Sequence, residues 1–89
     1  MKTIKKKAWP EYFQAIRDGV KTYDLRLADF DCKAGDKLVL EEWDPETKSY
    51  TGRQIDKIVT YVGKTKEQTA WSSEEIEKYG FQIIAFKNG

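Results

Sequence analysis

The chain has 89 residues, with 16 lysines and arginines against 15 aspartates and glutamates, no histidine and a single cysteine. This length allows one domain, residues 1–89, with a thin core and no separate catalytic lobe, and the near-neutral charge excludes the broad basic field of a dedicated duplex binder. Without histidine, Ser-His and Cys-His catalysis are excluded; one thiol permits no internal disulfide and argues against a protein-built zinc site, so neither metal nor cofactor is expected.

Charge is distributed unevenly. Lys2, Lys5, Lys6 and Lys7 crowd the start, whereas Glu74, Glu75 and Glu77 gather near the end. Ile4 to Ala8 reads as a short basic edge strand whose lysines discourage pairing with other chains. Trp9, Tyr12, Phe13 and Ile16 then fall at i, i+3, i+4 and i+7, the apolar stripe of a helix from about Trp9 to Asp18. Pro10 suits its first turn, and Gly19 suits a left-handed cap at its end. Such a stripe is more often core than ligand contact, with Trp9 at the helix start the residue best placed to be an exception.

Thr22 to Leu27 is a strand by alternation. Tyr23, Leu25 and Leu27 share one face, while Thr22, Asp24 and Arg26 share the other, with Lys21 at its start. That polar face is either a binding site or a salt-bridged outer surface. A loop from Asp29 to Asp36 leads into a strand over Lys37 to Trp43. Asp44-Pro45-Glu46-Thr47-Lys48 is hairpin-turn material, and Tyr50 to Val62 is a long strand, bent or bulged near Gly52.

Across that turn, Trp43 and Tyr50 read as a cross-strand aromatic pair. Ile58 to Val62 is apolar on both faces, which suggests a core on one side and a helix on the other. A second helix is expected after Trp71, with Ser72 as N-cap, Glu75 completing a capping box and Trp71 stapling onto Ile76. Gly80 ends it, and Phe81 to Phe86 is the final strand. No apolar run nears the roughly 20 residues of a membrane span, and no apolar segment follows the leading lysines, so a soluble cytoplasmic protein is expected.

The order β-α-β-β-β-α-β implies an α+β fold: a small, curled, mostly antiparallel barrel with two short helices. Trp9-Pro10-Glu11-Tyr12-Phe13, Gly19-x-Lys21-Thr22-x-Asp24-x-Arg26, Asp29, Asp31, Gly35-Asp36 and Tyr50-Thr51-Gly52-Arg53 together resemble the ASCH/PUA-like superfamily, most closely its small DUF3850 subfamily. The resemblance implies a PUA-like β-barrel and a role as an RNA-binding module. It also implies a cleft between the first helix, the Lys-Thr strand and the last helix-strand unit. Three positions depart from the pattern: Asp24 replaces a glutamate, Phe30 an arginine and Ile4 a histidine.

Some relatives are amidohydrolases of acylated nucleosides, using a lysine, a second threonine and a distant glutamate. Lys21 matches the lysine, Asp24 stands at the second threonine, and Glu74 or Glu75 follows in chain order. A carboxylate in place of a nucleophilic hydroxyl changes the mechanism rather than tuning it.

Three functions are therefore carried forward. The first is binding of RNA or of a single-stranded or modified nucleotide, with Lys21, Thr22, Asp24 and Arg26 as the site and Trp9 as a stacking wall. Lys5, Lys7 and Arg53 would contact phosphates. The second is a nucleoside-directed hydrolase using Lys21 and Asp24 with Glu74 or Glu75. The third is a protein-interaction domain marked by an apolar patch near Trp71, Tyr79 or Trp43. Against the site readings stand plainer ones: solvated lysines, a mutual Asp24–Arg26 ion pair, and an edge-protecting role for Lys5 to Lys7.

Overall fold

The elements follow the expected order: β1 (Thr3–Ala8), α1 (Pro10–Arg17), β2 (Tyr23–Leu27), β3 (Lys37–Asp44), β4 (Ser49–Lys64), α2 (Glu74–Lys78) and β5 (Phe81–Asn88). The computed structural model describes residues 1–65, 74–78 and 80–88, apart from the side chains of Glu75 and Ile76. The expected roles of Trp71, Ser72 and Tyr79 lie outside the described residues, as do those of the Glu75 and Ile76 side chains. No helix among the described residues is long and apolar enough to cross a membrane.

The strands form one five-stranded sheet in the order β1-β3-β4-β5-β2. β1 runs parallel to β3, and the other pairs are antiparallel. β1 and β2 are thus the edges, yet the sheet curls into a half-barrel that brings them together: Arg26 Nη2 donates to the Lys7 carbonyl at 3.1 Å. At this point a side chain, rather than a backbone ladder, links the two edges. The core gathers on the concave side around Phe13, Ile16, Leu38, Leu40, Val59 and Ile84, all essentially inaccessible.

Pro10 opens α1 with Trp9 as its N-cap residue, and Gly19 adopts φ +80° just beyond the end. The apolar stripe splits. Phe13 and Ile16 are buried, whereas Trp9 and Tyr12 are 49% and 50% exposed. The core reading therefore holds for Phe13 but not for Tyr12, because only the Phe13–Ile16 half of the stripe faces the interior.

Two irregularities shape β4. Glu41 pairs with Gln54 and Trp43 with Tyr50, so Glu42 faces the whole segment Thr51-Gly52-Arg53. Gly52 takes φ +97° there, which realises the bend expected at that glycine. Further on, Val59 pairs with Phe86 and Tyr61 with Ala85, leaving Thr60 as an extra residue.

That second bulge corrects the reading of Ile58 to Val62. The segment is not apolar on two sides because a helix covers its outer face: Tyr61 is 71% exposed. The extra residue switches which parity points inward, so Val59 before it and Val62 after it both turn toward the core.

Candidate functional site

The alternation of β2 holds, but the sheet turns its polar face inward. Asp24 is only 6% exposed, while Tyr23, Leu25 and Leu27 lie near half exposure on the outside. A buried carboxylate needs compensation, and Arg26 supplies it. Arg26 Nε donates to Asp24 Oδ2, and Nη2 donates to Asp24 Oδ1 at 3.0 Å. Three of the five guanidinium N–H groups are thus engaged by Asp24 and the Lys7 carbonyl. The pair on Nη1 takes no protein partner among the described residues.

Above this fork opens a cleft of about 450 Å³, bordered by the end of β1, the start of α1 and the edge strand β2. Lys7, Trp9, Tyr12, Lys21, Asp24 and Arg26 line it, with Tyr23 beside them. Two of its rings, those of Tyr12 and Tyr23, lie against a cation. Lys21 Nζ sits 4.3 Å from the Tyr12 ring centre and 5.1 Å from that of Tyr23, and Lys7 Nζ sits 4.5 Å from the Trp43 ring. Three cations against one carboxylate leave the rim positive, and the volume suits a small planar ligand.

The residues anticipated as a site therefore divide. Lys7, Trp9, Lys21, Asp24 and Arg26 converge on the cleft. Thr22 lines instead a smaller hollow with Lys57 and Lys87. Lys5 is an exposed residue of β1 and does not line the cleft. Glu74 is exposed on α2, and the side chain of Glu75 lies outside the described residues.

Arg53 is committed elsewhere. Its Nε and Nη2 donate to the two oxygens of Glu42 at 2.9 and 2.8 Å, Thr51 Oγ1 donates to Glu42 Oε1 at 2.6 Å, and Arg53 stacks over Phe13. The Arg53 bonds, followed by that from Thr51, hold the Glu42 carboxyl down at about 2, and the bond to Glu42 pushes the Arg53 guanidinium above its ordinary value. This is a structural clamp around the first bulge, and it leaves Arg53 poorly available to a phosphate.

Tyr23 was hidden as a cleft residue by its place in the apolar alternation, although a tyrosine beginning an edge strand next to a lysine is a usable signal. A second hollow, of about 470 Å³, lies beside the chain start and the loop before β3. Cys32 and Asp36 are two of its lining residues. Burial pushes the Cys32 thiol up. Burial also raises the Asp36 carboxyl, but the Lys2 and Lys33 backbone N–H groups it accepts outweigh this, so its pKa falls overall.

A half-barrel of this order, with a cleft at the junction of its two edges, is a small α+β fold. The chain belongs to the family described as a domain of unknown function, DUF3850, whose model matches residues 3–73. No curated protein matches it.

Proposed function

We propose that the half-barrel is an ASCH/PUA-like module, and that its cleft takes one nucleotide of single-stranded or modified nucleic acid, RNA foremost. The observation carrying this reading is the set of exposed rings, Trp9 and Tyr12 with Tyr23 at 46% exposure, around a floor made by the Asp24–Arg26 fork. Half-exposed rings beside donor groups are what a splayed base stacks on. Lys7 and Lys21 at the rim meet the phosphates.

With so few cations, the salt slope corresponds to on the order of 2–4 phosphates. Titrating a short single-stranded RNA at low salt should quench tryptophan fluorescence, with weaker binding in Trp9→Ala and Lys21→Ala. A flat titration, unchanged by Arg26→Ala, overturns the reading.

Two observations favour other readings. Lys21 and Asp24 line one cleft, as a nucleoside hydrolase requires, but both Asp24 oxygens already accept from Arg26. Turnover of acylated nucleosides that vanishes in Lys21→Ala would establish that alternative. The interaction-domain reading draws on the outer strip where Leu25 faces Ile83 and Leu27 faces Phe81, all about half exposed. Trp43, by contrast, is half-buried beneath Lys7. Sedimentation across a concentration series decides: a mass that stays monomeric counts against self-association through that strip.

A further inference from the structure

β5 runs on past the start of β2. Their ladder ends with Tyr23 opposite Ala85, and the Thr22 carbonyl still accepts from the Phe86 N–H at 3.3 Å, so Lys87 and Asn88 extend beyond it. A hollow of about 300 Å³ opens at this corner. Its polar lining comes from Lys21, Thr22, Lys57, Lys87 and Asn88, and no acid lines it among the described residues.

Lys57 is the informative member. It is half-buried and stands opposite the fully buried Leu38, so its stem starts on the inner face of the sheet. Its Nζ donates to Asn88 Oδ1 at 2.6 Å, which engages one of the three ammonium donors. Among the described residues neither Lys57 nor Lys87 forms an ion pair, whereas Arg26, Lys37 and Arg53 each meet a carboxylate. A partly desolvated ammonium without a counter-charge is costly, and a bound anion relieves that cost.

The hollow adjoins the cleft, because Lys21 lines both. The Lys21 ammonium lies against Tyr12 and Tyr23, both on the cleft side. Lys57 and Lys87 are therefore the cations that belong to the hollow alone.

We propose that this hollow is a phosphate subsite, in which Lys57 and Lys87 hold a phosphodiester adjoining the nucleotide in the cleft. The proposal rests on the nucleotide-binding reading and extends it from one nucleotide to the path of a strand. The base enters the cleft, the backbone passes over Lys21, and the next phosphate settles beside Lys57. Thr22 and Asn88 offer hydrogen bonds to its oxygens. The hollow selects charge over a base: Phe86, the one ring that lines it among the described residues, is buried and offers no face for stacking. Lysines, as point charges, suit a phosphate approached from several directions.

The first test compares uridine 5′-phosphate, uridine 3′-phosphate and uridine 3′,5′-bisphosphate by calorimetry at low salt. These ligands differ in phosphate alone. The wild type should bind the bisphosphate about tenfold more tightly than the better monophosphate, the worth of one charge-assisted contact. In a Lys57→Met/Lys87→Gln double variant that advantage should vanish. A wild type that gains nothing from the second phosphate overturns the proposal without any variant having to fold.

The second test reads the salt dependence of hexauridylate binding by tryptophan fluorescence. Losing one phosphate contact should reduce the slope by about 0.7 in the double variant, and Lys87→Gln alone, at an exposed position, should lose part of it. Lys48→Gln, which removes an exposed lysine lining none of these hollows, should keep the wild-type slope. An unchanged slope in the folded lysine variants overturns the proposal, and so does an equal loss in Lys48→Gln, which would mean general surface charge. If hexauridylate still binds in either case, the cleft reading stands and only the subsite falls. If the wild type binds neither hexauridylate nor any uridine phosphate, both fall together.

Discussion

Glu42 shows how far single side chains can depart from their appearance in the sequence. It lies on β3 between Glu41 and Trp43, it is buried, and its pKa is held at about 2 by Arg53 and then Thr51. A folded-state value below the ordinary 4.5 means that folding favours the ionised form. The stabilisation from Glu42 is complete above pH 4.5 and is lost as pH falls toward about 2. Urea midpoints measured across that window should fall steadily for the wild type and more gently for Glu42→Gln, which has no proton to take up. Parallel curves would mean that Glu42 is not the titrating group.

Gln82 is the opposite case, a buried polar residue whose amide meets no hydrogen-bond partner among the described residues. Neither residue carries a local signal. An acid inside a strand and a glutamine between two apolar residues look like ordinary outward-facing positions.

At the scale of elements, β4 decides the architecture because its two bulges redirect the sheet. The first wraps Thr51 and Arg53 around Glu42, and it depends on Gly52 at φ +97°. Nothing lies within 4 Å of where a β-carbon would sit on Gly52, so Gly52→Ala meets backbone strain alone. It should cost about 1–2 kcal/mol in urea unfolding, and unchanged stability would show that the turn relaxes out of the left-handed region.

The second bulge, at Thr60, explains why a strand apolar on successive positions leaves Tyr61 in solvent. Bulges of this kind follow from which residues the partner strand presents, so only Gly52, with its backbone freedom, announced one. The elements themselves were readable: helix α1 from its stripe, Pro10 and Gly19; the Trp43–Tyr50 pair from its place across the turn; and the β2 strand from its alternation.

For the whole molecule, the half-barrel depends on a small core and on one charged link between its edges. Ile84 is fully buried, opposite Asp24 on β2 and paired with Val62 on β4. Ile84→Ala should therefore cost about 2–5 kcal/mol, seen as a lower urea midpoint at unchanged slope. A loss well under that range would mean that the core closes over the cavity.

These 89 residues contain no histidine and so supply no imidazole chemistry. Their order determined the succession of elements and placed Lys21, Asp24 and Arg26 along one strand. Which side of that strand is the inside was a tertiary decision, since period-two alternation defines two faces without ranking them. The curl of the sheet ranked them, setting the Asp24–Arg26 pair against the Lys7 carbonyl and turning three leucine and tyrosine side chains outward. The same curl set Trp9, Tyr12 and Lys7 around that pair and carried Lys5, Thr22 and Arg53 away from it. Residues distant in the chain meet only where the backbone closes on itself, and no local pattern encodes that closure.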